Sequence, residues 1–371
     1  MEYAEYYGII CPIQVYRIIF FNHTLASANC MEVFYIKKHL STVILGSLLF
    51  VTAVISLFIG VLDLNIGALF SGDSEDLQIF LLSRLPRLLA ILCTGIGMSV
   101  AGLIMQQLCM NKFVSPTTGA TIQSAQFGIA LAMVFFPTMG LFTRTIFAFI
   151  FAVAGTILFV FFVQRIKVKD TVLVPLIGIM FGNIIGGVTN FIAWQFEINQ
   201  QLSTYFSGSF SLIIRGKYEL VWLIVPLVII AFIYSNHFNI VGMGQDFSKN
   251  LGVNYNLILI LGLSIASVIT ASIVVIVGQI SYIGLIVPNL VAIFKGDKIR
   301  GTLVDTALFG ALFVLICDII ARSVIMPFEI PIEMVVGIIG SLVFIAMLFY
   351  KLKHGKKAVH FGKKKEVAAN E

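Results

Sequence analysis

NYNLILILGLSIASVITASIVVIV, residues Asn254–Val277, runs for 24 positions without one charged side chain. A helix that crosses the hydrocarbon of a bilayer needs about 20 such residues. Inside lipid, a backbone must satisfy its own hydrogen bonds, which a helix does and an isolated strand does not. The stretch therefore predicts a membrane-spanning helix. Nine further stretches read the same way, at 41–61, 85–108, 117–137, 145–163, 171–193, 218–236, 280–294, 302–320 and 333–350. Only Gly278 and Gln279 separate the quoted stretch from its successor.

Composition agrees. Of 371 residues, 59% are hydrophobic and 11% charged, too apolar a balance for a soluble core to absorb. The alternation that a membrane barrel would need is absent. The fold class expected is an all-α polytopic membrane protein with about ten transmembrane helices. Its domains are an amino-terminal extension over 1–40, a transmembrane domain over 41–350 and a basic tail over 351–371. Residues 1–30 fit neither a spanning helix nor a good signal peptide, since Pro12 and Arg17 interrupt the short run Ile9–Phe21. They read as an upstream extension or a disordered arm, and Met31 reads as an ordinary start.

Lysine and arginine give the direction of the spans. With the amino end inside, the inner loops and tail collect seventeen cations and the outer loops six. Both ends are then cytoplasmic. The net charge of +6 sits mostly in the tail, Lys351 to Lys365, which suits anionic lipid head groups better than nucleic acid. Small residues four apart (Gly95/Ser99, Gly97/Ala101, Gly182/Gly186, Gly337/Ser341) read as faces where helix backbones approach.

Several chemistries lack their residues. The five cysteines form no CxxC pair, and the five histidines lie outside the spans, so neither a metal site nor any cofactor is expected. No G-x-x-x-x-G-K-[ST] phosphate loop occurs. Asp318 is the one carboxylate well inside a span, and Arg322 follows it at ion-pair spacing on one helix face. A proton- or sodium-coupled carrier would show an acidic relay. The energy is expected to come from a partner, acting on the short loop GQDFSKNLGV, Gly244–Val253. The chain is expected not to be an enzyme.

Three motifs resemble those of a known family. RLPR at Arg84–Arg87, with Gln106 and NKFVSP at Asn111–Pro116, resembles the R-x-P-R … Q … N-P-L-A-x-P signature of ABC importer permeases for iron-siderophores, haem and vitamin B12. GQISYIGLIVP at Gly278–Pro288 is similar to that family's G-x-I-x-F-x-G-L-x-x-P-H. DIIAR at Asp318–Arg322, followed by EIP at Glu329–Pro331, is similar to A-D-x-x-A-R … E-x-P-x-G. The family's histidine is replaced by Asn289, and its P-V-G by Pro331-Ile332-Glu333.

The resemblance implies a permease subunit of an ATP-driven importer in the bacterial cytoplasmic membrane. Its implied partners are a second permease subunit, identical or a paralogue, two cytoplasmic ABC ATPases and an extracytoplasmic siderophore-binding lipoprotein. It also implies that Arg84, Arg87 and Arg322 dock the binding protein; the alternatives are lipid-facing anchors and, for Arg322, a partner for Asp318 only. It implies ATPase coupling through Asp246, Ser248, Leu251 and Gly252, and a cytoplasmic gate at Asn111 and Phe113. The run Asn111–Thr118 looks most like the petrobactin and catecholate-siderophore branch. A haem or vitamin B12 permease and, more distantly, a secondary transporter stand as alternatives.

Overall fold

The computed structural model describes residues 41–59, 78, 80–138, 140–165, 173–211, 213, 219–296 and 299–349. The extension, the basic tail and parts of several loops lie outside the described residues, and with them the expectations for residues 1–40 and 351–371. The chain divides into two compact units, 1–48 and 49–371. Within the first, residues 41–48 are the opening turns of helix α1 (Ser41–Phe58).

Among the described residues, every regular element of the larger unit is a helix. After a π-helical turn at Phe80–Arg84 come α2 (Leu85–Leu108), α3 (Thr121–Phe135), α4 (Leu141–Arg165), α5 (Leu173–Gln195) and α6 (Asn199–Phe206). Next are α7 (Ile224–Ile233), α8 (Ser235–Val241), α9 (Gln245–Asn250), α10 (Tyr255–Val277), α11 (Ile283–Lys295) and α12 (Ile299–Ser323). The last is α13, Ile332–Phe349. The described part of each apolar stretch found in the sequence is thus mainly helical.

Length qualifies the number of crossings. Among the described residues, seven helices are long and apolar enough to span a membrane, and eight if a bent pair counts as one. That pair, Val221–Ile233 with Ser235–Val241, bends by 61° near the carboxyl-terminal end of the span expected over 218–236. The helices α3 and α11, with 15 and 13 residues, fall short of the usual span length.

The centre of the unit is α2, which packs chiefly on α12 and then on α10 and α11. Small residues make the first contact. A methyl at Gly95 would lie 2.6 Å from the Cα of Ala311, and one at Gly97 would lie 2.9 Å from Ile224 and Ile269. Lipid supplies no hydrophobic drive between helices, so such close backbone packing holds them. The Gly182/Gly186 face meets Gln123 of α3, whereas among the described residues nothing lies within 4 Å of a Cβ added at Gly337.

Gly278 separates α10 from α11 as the sequence suggested. Its φ is +95°, and an added Cβ would meet the Ser207 carbonyl oxygen at 2.8 Å. Only glycine accepts both the conformation and the approach. Asn254 caps the other end of α10 by accepting the Leu257 N–H at 3.3 Å.

Candidate functional site

Three regions carry the chemistry, two of them at opposite ends of α2. At 1.5 Å per residue this 24-residue helix is about 36 Å long. Its amino-terminal end holds Arg84 and Arg87, and the chain turns at Asn111 after its carboxyl-terminal end.

At the amino-terminal end the three arginines form one network with two carboxylates. Arg322, 2% exposed, lies 2.6 Å from Asp318, the i,i+4 partner expected from spacing. Its guanidinium also donates to the Ser56 carbonyl at 3.2 Å, the Ser56 hydroxyl at 2.6 Å and the Ile59 carbonyl at 2.7 Å. Arg84, 9% exposed, donates to the same Ile59 carbonyl at 2.6 Å. These two arginines thus hold the carboxyl-terminal end of α1, whose last carbonyls have no partner within the helix.

Arg87 spans two acids. Its Nη2 donates to Asp318 at 2.9 Å, and its Nη1 reaches both oxygens of Glu329 at 2.9 Å. The side chains of Arg87 and Glu329 are 13% and 19% exposed, against 1% for Asp318. Burial by itself would raise the Glu329 carboxyl. The Ser211 hydroxyl, which donates a short hydrogen bond, and the charge and hydrogen bond of Arg87 outweigh it and hold Glu329 below the usual carboxylate range. The three arginines are therefore gathered in one place, but within the chain's own packing rather than as projecting cations.

At the other end, Pro288 decides the geometry. A proline inside a helix removes the N–H that would bond the carbonyl four residues earlier, here Gly284. Gln106 supplies the missing donor from α2, its Nε2 lying 3.2 Å from the Gly284 oxygen and 3.1 Å from that of Leu285. Asn289, in place of the family's histidine, donates to Leu285 and to the Lys112 carbonyl, each at 2.7 Å. It thereby ties α11 to the turn after α2.

That turn presents Phe113. The Asn111 side chain accepts the Phe113 N–H at 2.8 Å, a local bond that orders the turn. The Phe113 ring is 56% exposed and meets Phe344 of α13 edge-on at 6.2 Å. A recess of 250 Å³ lies beside it, lined by Gln106, Asn111, Lys112, Pro288 and others. Replacing Gln106 by alanine would strand a buried carbonyl at a cost of about 1–3 kcal/mol. We expect a lower melting temperature for the detergent-solubilised Gln106→Ala protein, and unchanged melting would show that another donor takes over.

The third region is α9. Asp246, Phe247, Leu251 and Gly252 are exposed, and Gly252 has φ +72°. Ser248 is not with them: fully buried, it donates to the carbonyls of Gly244 at 2.8 Å and Ile240 at 3.3 Å. It anchors α9 to α8 and leaves the other residues facing outward. The ion pair Lys295–Asp305, 2.5 Å, joins α11 to α12, and nothing in the sequence singled it out. Among the described residues no group of His, Cys, Asp and Glu could hold a metal.

Comparison with known proteins places these regions in context. The model of the FecCD transport family matches residues 48–350. The petrobactin import system permease protein YclN of Bacillus subtilis (strain 168) is 45% identical over 301 residues, 81% of this chain and 95% of that protein. The petrobactin import system permease protein FatD of Bacillus anthracis is 38% identical, over 82% of this chain and 89% of that one. A solved structure of an ABC transporter assigned to the metal-chelate type, in an inward-facing conformation, aligns with a TM-score of 0.74 at 27% identity. It covers 83% of this chain and 98% of its own.

Proposed function

Because the chain belongs to the FecCD transport family, we propose that it is the membrane permease subunit of an ATP-driven importer that carries a ferric siderophore across the bacterial cytoplasmic membrane. The observation that carries this reading is the 45% identity to a petrobactin permease, continuous over 95% of that protein. The substrate is a siderophore of the petrobactin or catecholate type. The subunit performs no covalent chemistry. It moves between states that open to one side or the other, driven by two cytoplasmic ATPases and loaded by an external binding protein. A second permease subunit, identical or a paralogue, completes the pathway.

The ten helical stretches are ten crossings in this reading, with both chain ends cytoplasmic. The shorter α3 and α11 complete their crossings with the turns beside them. The arginine cluster then lies on the outer side, and α9 and the Asn111 turn on the inner side. The exposed Asp246, Leu251 and Gly252 meet an ATPase, and Ser248 transmits the motion by fixing α9 to the bundle. Asn111 shapes the turn that holds Phe113, whose ring closes the inner end of the pathway by excluding water. Arg84, Arg87 and Arg322 make up the outer docking region. Arg87, at the rim, is the side chain that an acidic residue of the binding protein reaches, and Arg322 supports it from within.

Reconstitution tests the assignment. Proteoliposomes holding this permease, its partner subunits and its binding protein should take up ferric petrobactin with ATP and ignore a protonophore. Haem and cyanocobalamin, offered in parallel, should not enter. Uptake that persists without an ATPase would mark a secondary transporter, and uptake of haem or cyanocobalamin alone would move the chain to another branch of the family.

A further inference from the structure

We propose that Glu329 is an internal substitute for a carboxylate of the binding protein: it occupies Arg87 while the permease is undocked, and docking displaces it. The inference rests on the docking reading of Arg87 and adds a latch to it.

The two arms of the Arg87 guanidinium are unequal. The inner arm, Nη2, holds Asp318, a carboxylate 1% exposed that is also paired with Arg322. No macromolecule reaches that site. The outer arm, Nη1, serves both oxygens of Glu329 from one nitrogen. This is weaker than the two-nitrogen fork that arginine and carboxylate form at their best. The Arg87 Nε is meanwhile buried with no acceptor among the described residues. Glu329 thus holds only the outer arm of Arg87, at the accessible edge of the network, where another carboxylate can take its place.

Displacement would be felt beyond Arg87. Glu329 also takes the Ser211 hydroxyl, and the segment 206–211 is stitched to other elements. The Ser209 N–H bonds the Val277 carbonyl at 3.0 Å, and the Gln279 N–H bonds the Phe206 carbonyl at 3.0 Å. The Glu333 N–H bonds the Gly208 carbonyl at 3.3 Å. Glu329 therefore clamps the α12–α13 connection and the 206–211 segment to the end of α2. Exchanging it for an external acid loosens that clamp at the junction of α10 and α11. The latch gives docking a route to the helices that bear Gln106's partners and the recess below.

The test measures affinity of the lipid-free binding protein for the full permease–ATPase complex in nanodiscs, without nucleotide. Glu329→Gln removes the competitor and should tighten docking about fivefold, the size of one partly exposed ion pair. Ser211→Ala, at an exposed position, loosens Glu329 and should tighten docking about twofold. Arg87→Ala should weaken docking at least tenfold, and adding Glu329→Gln to it should then change nothing. Unchanged or weaker docking in both Glu329→Gln and Ser211→Ala, with Arg87→Ala still defective, overturns the latch and leaves the docking reading standing. Normal docking by Arg87→Ala overturns both. Should Glu329→Gln fail to assemble, Ser211→Ala decides alone.

Discussion

Arg322→Ala is expected to lower the amount of folded subunit in the membrane several-fold, well beyond any effect on docking. Asp318 and Arg322 are 1% and 2% exposed and lie 2.6 Å apart. Removing one partner of a buried pair costs about 3–5 kcal/mol, because the other charge stays in a poor solvent. Here the loss also removes the donor to the Ser56 carbonyl and hydroxyl and leaves the Ile59 carbonyl to Arg84 alone at the end of α1. Arg322→Lys keeps the charge but cannot fork to Asp318 and α1 together, so it should rescue only in part. Quantitative blotting of membranes and melting in detergent measure the effect. A normal level of Arg322→Ala with docking abolished would instead make Arg322 a direct contact of the binding protein.

Gly252→Val should leave the subunit inserted and the binding protein docked, yet reduce ATP-driven uptake tenfold or more. The φ of +72° at Gly252 suits glycine, while a left-handed conformation costs an L-residue roughly 1–2 kcal/mol, more for a β-branched one. The conformation closes α9, since the Gly252 N–H bonds the Lys249 carbonyl at 3.0 Å and the Val253 N–H bonds that of Ser248 at 2.9 Å. Among the described residues nothing lies within 4 Å of an added Cβ, so the change acts on the cap and on the partner, not on the bundle. Gly252→Asn, which tolerates the same region, is the control and should transport nearly normally. Uptake and ATP hydrolysis are read together in proteoliposomes. Normal values of both for Gly252→Val would show that α9 is not where the ATPase pushes.

The two residues also show where reading along the chain reaches its limit. Gly252 is legible from its neighbours: a glycine after a short polar helix ends that helix, and the exposure of Asp246 and Leu251 agrees with a surface loop. Ser248 is not legible in the same way. A serine in a polar loop gives no sign that it faces inward, because what buries it is the angle between α8 and α9. Asp318 and Arg322 pair at a spacing that one helix imposes by itself. Arg87 joins them from 231 positions away, and only the packing of α2 against α12 brings it there.

Hydropathy and local turn chemistry therefore determined the helices, the break at Gly278, the i,i+4 pair and the motifs, because each depends on residues consecutive in the chain. The tertiary structure decided that Arg87 and Arg322 pair with the protein's own carboxylates and that Arg84 joins them through the Ile59 carbonyl. It also assigned Gln106 to the carbonyl that Pro288 leaves free, and set the 61° bend between Ile233 and Ser235. Those outcomes depend on which helix ends meet at the same depth. A side chain's partner across such a meeting is set by interhelical packing, on which the local sequence carries no direct mark.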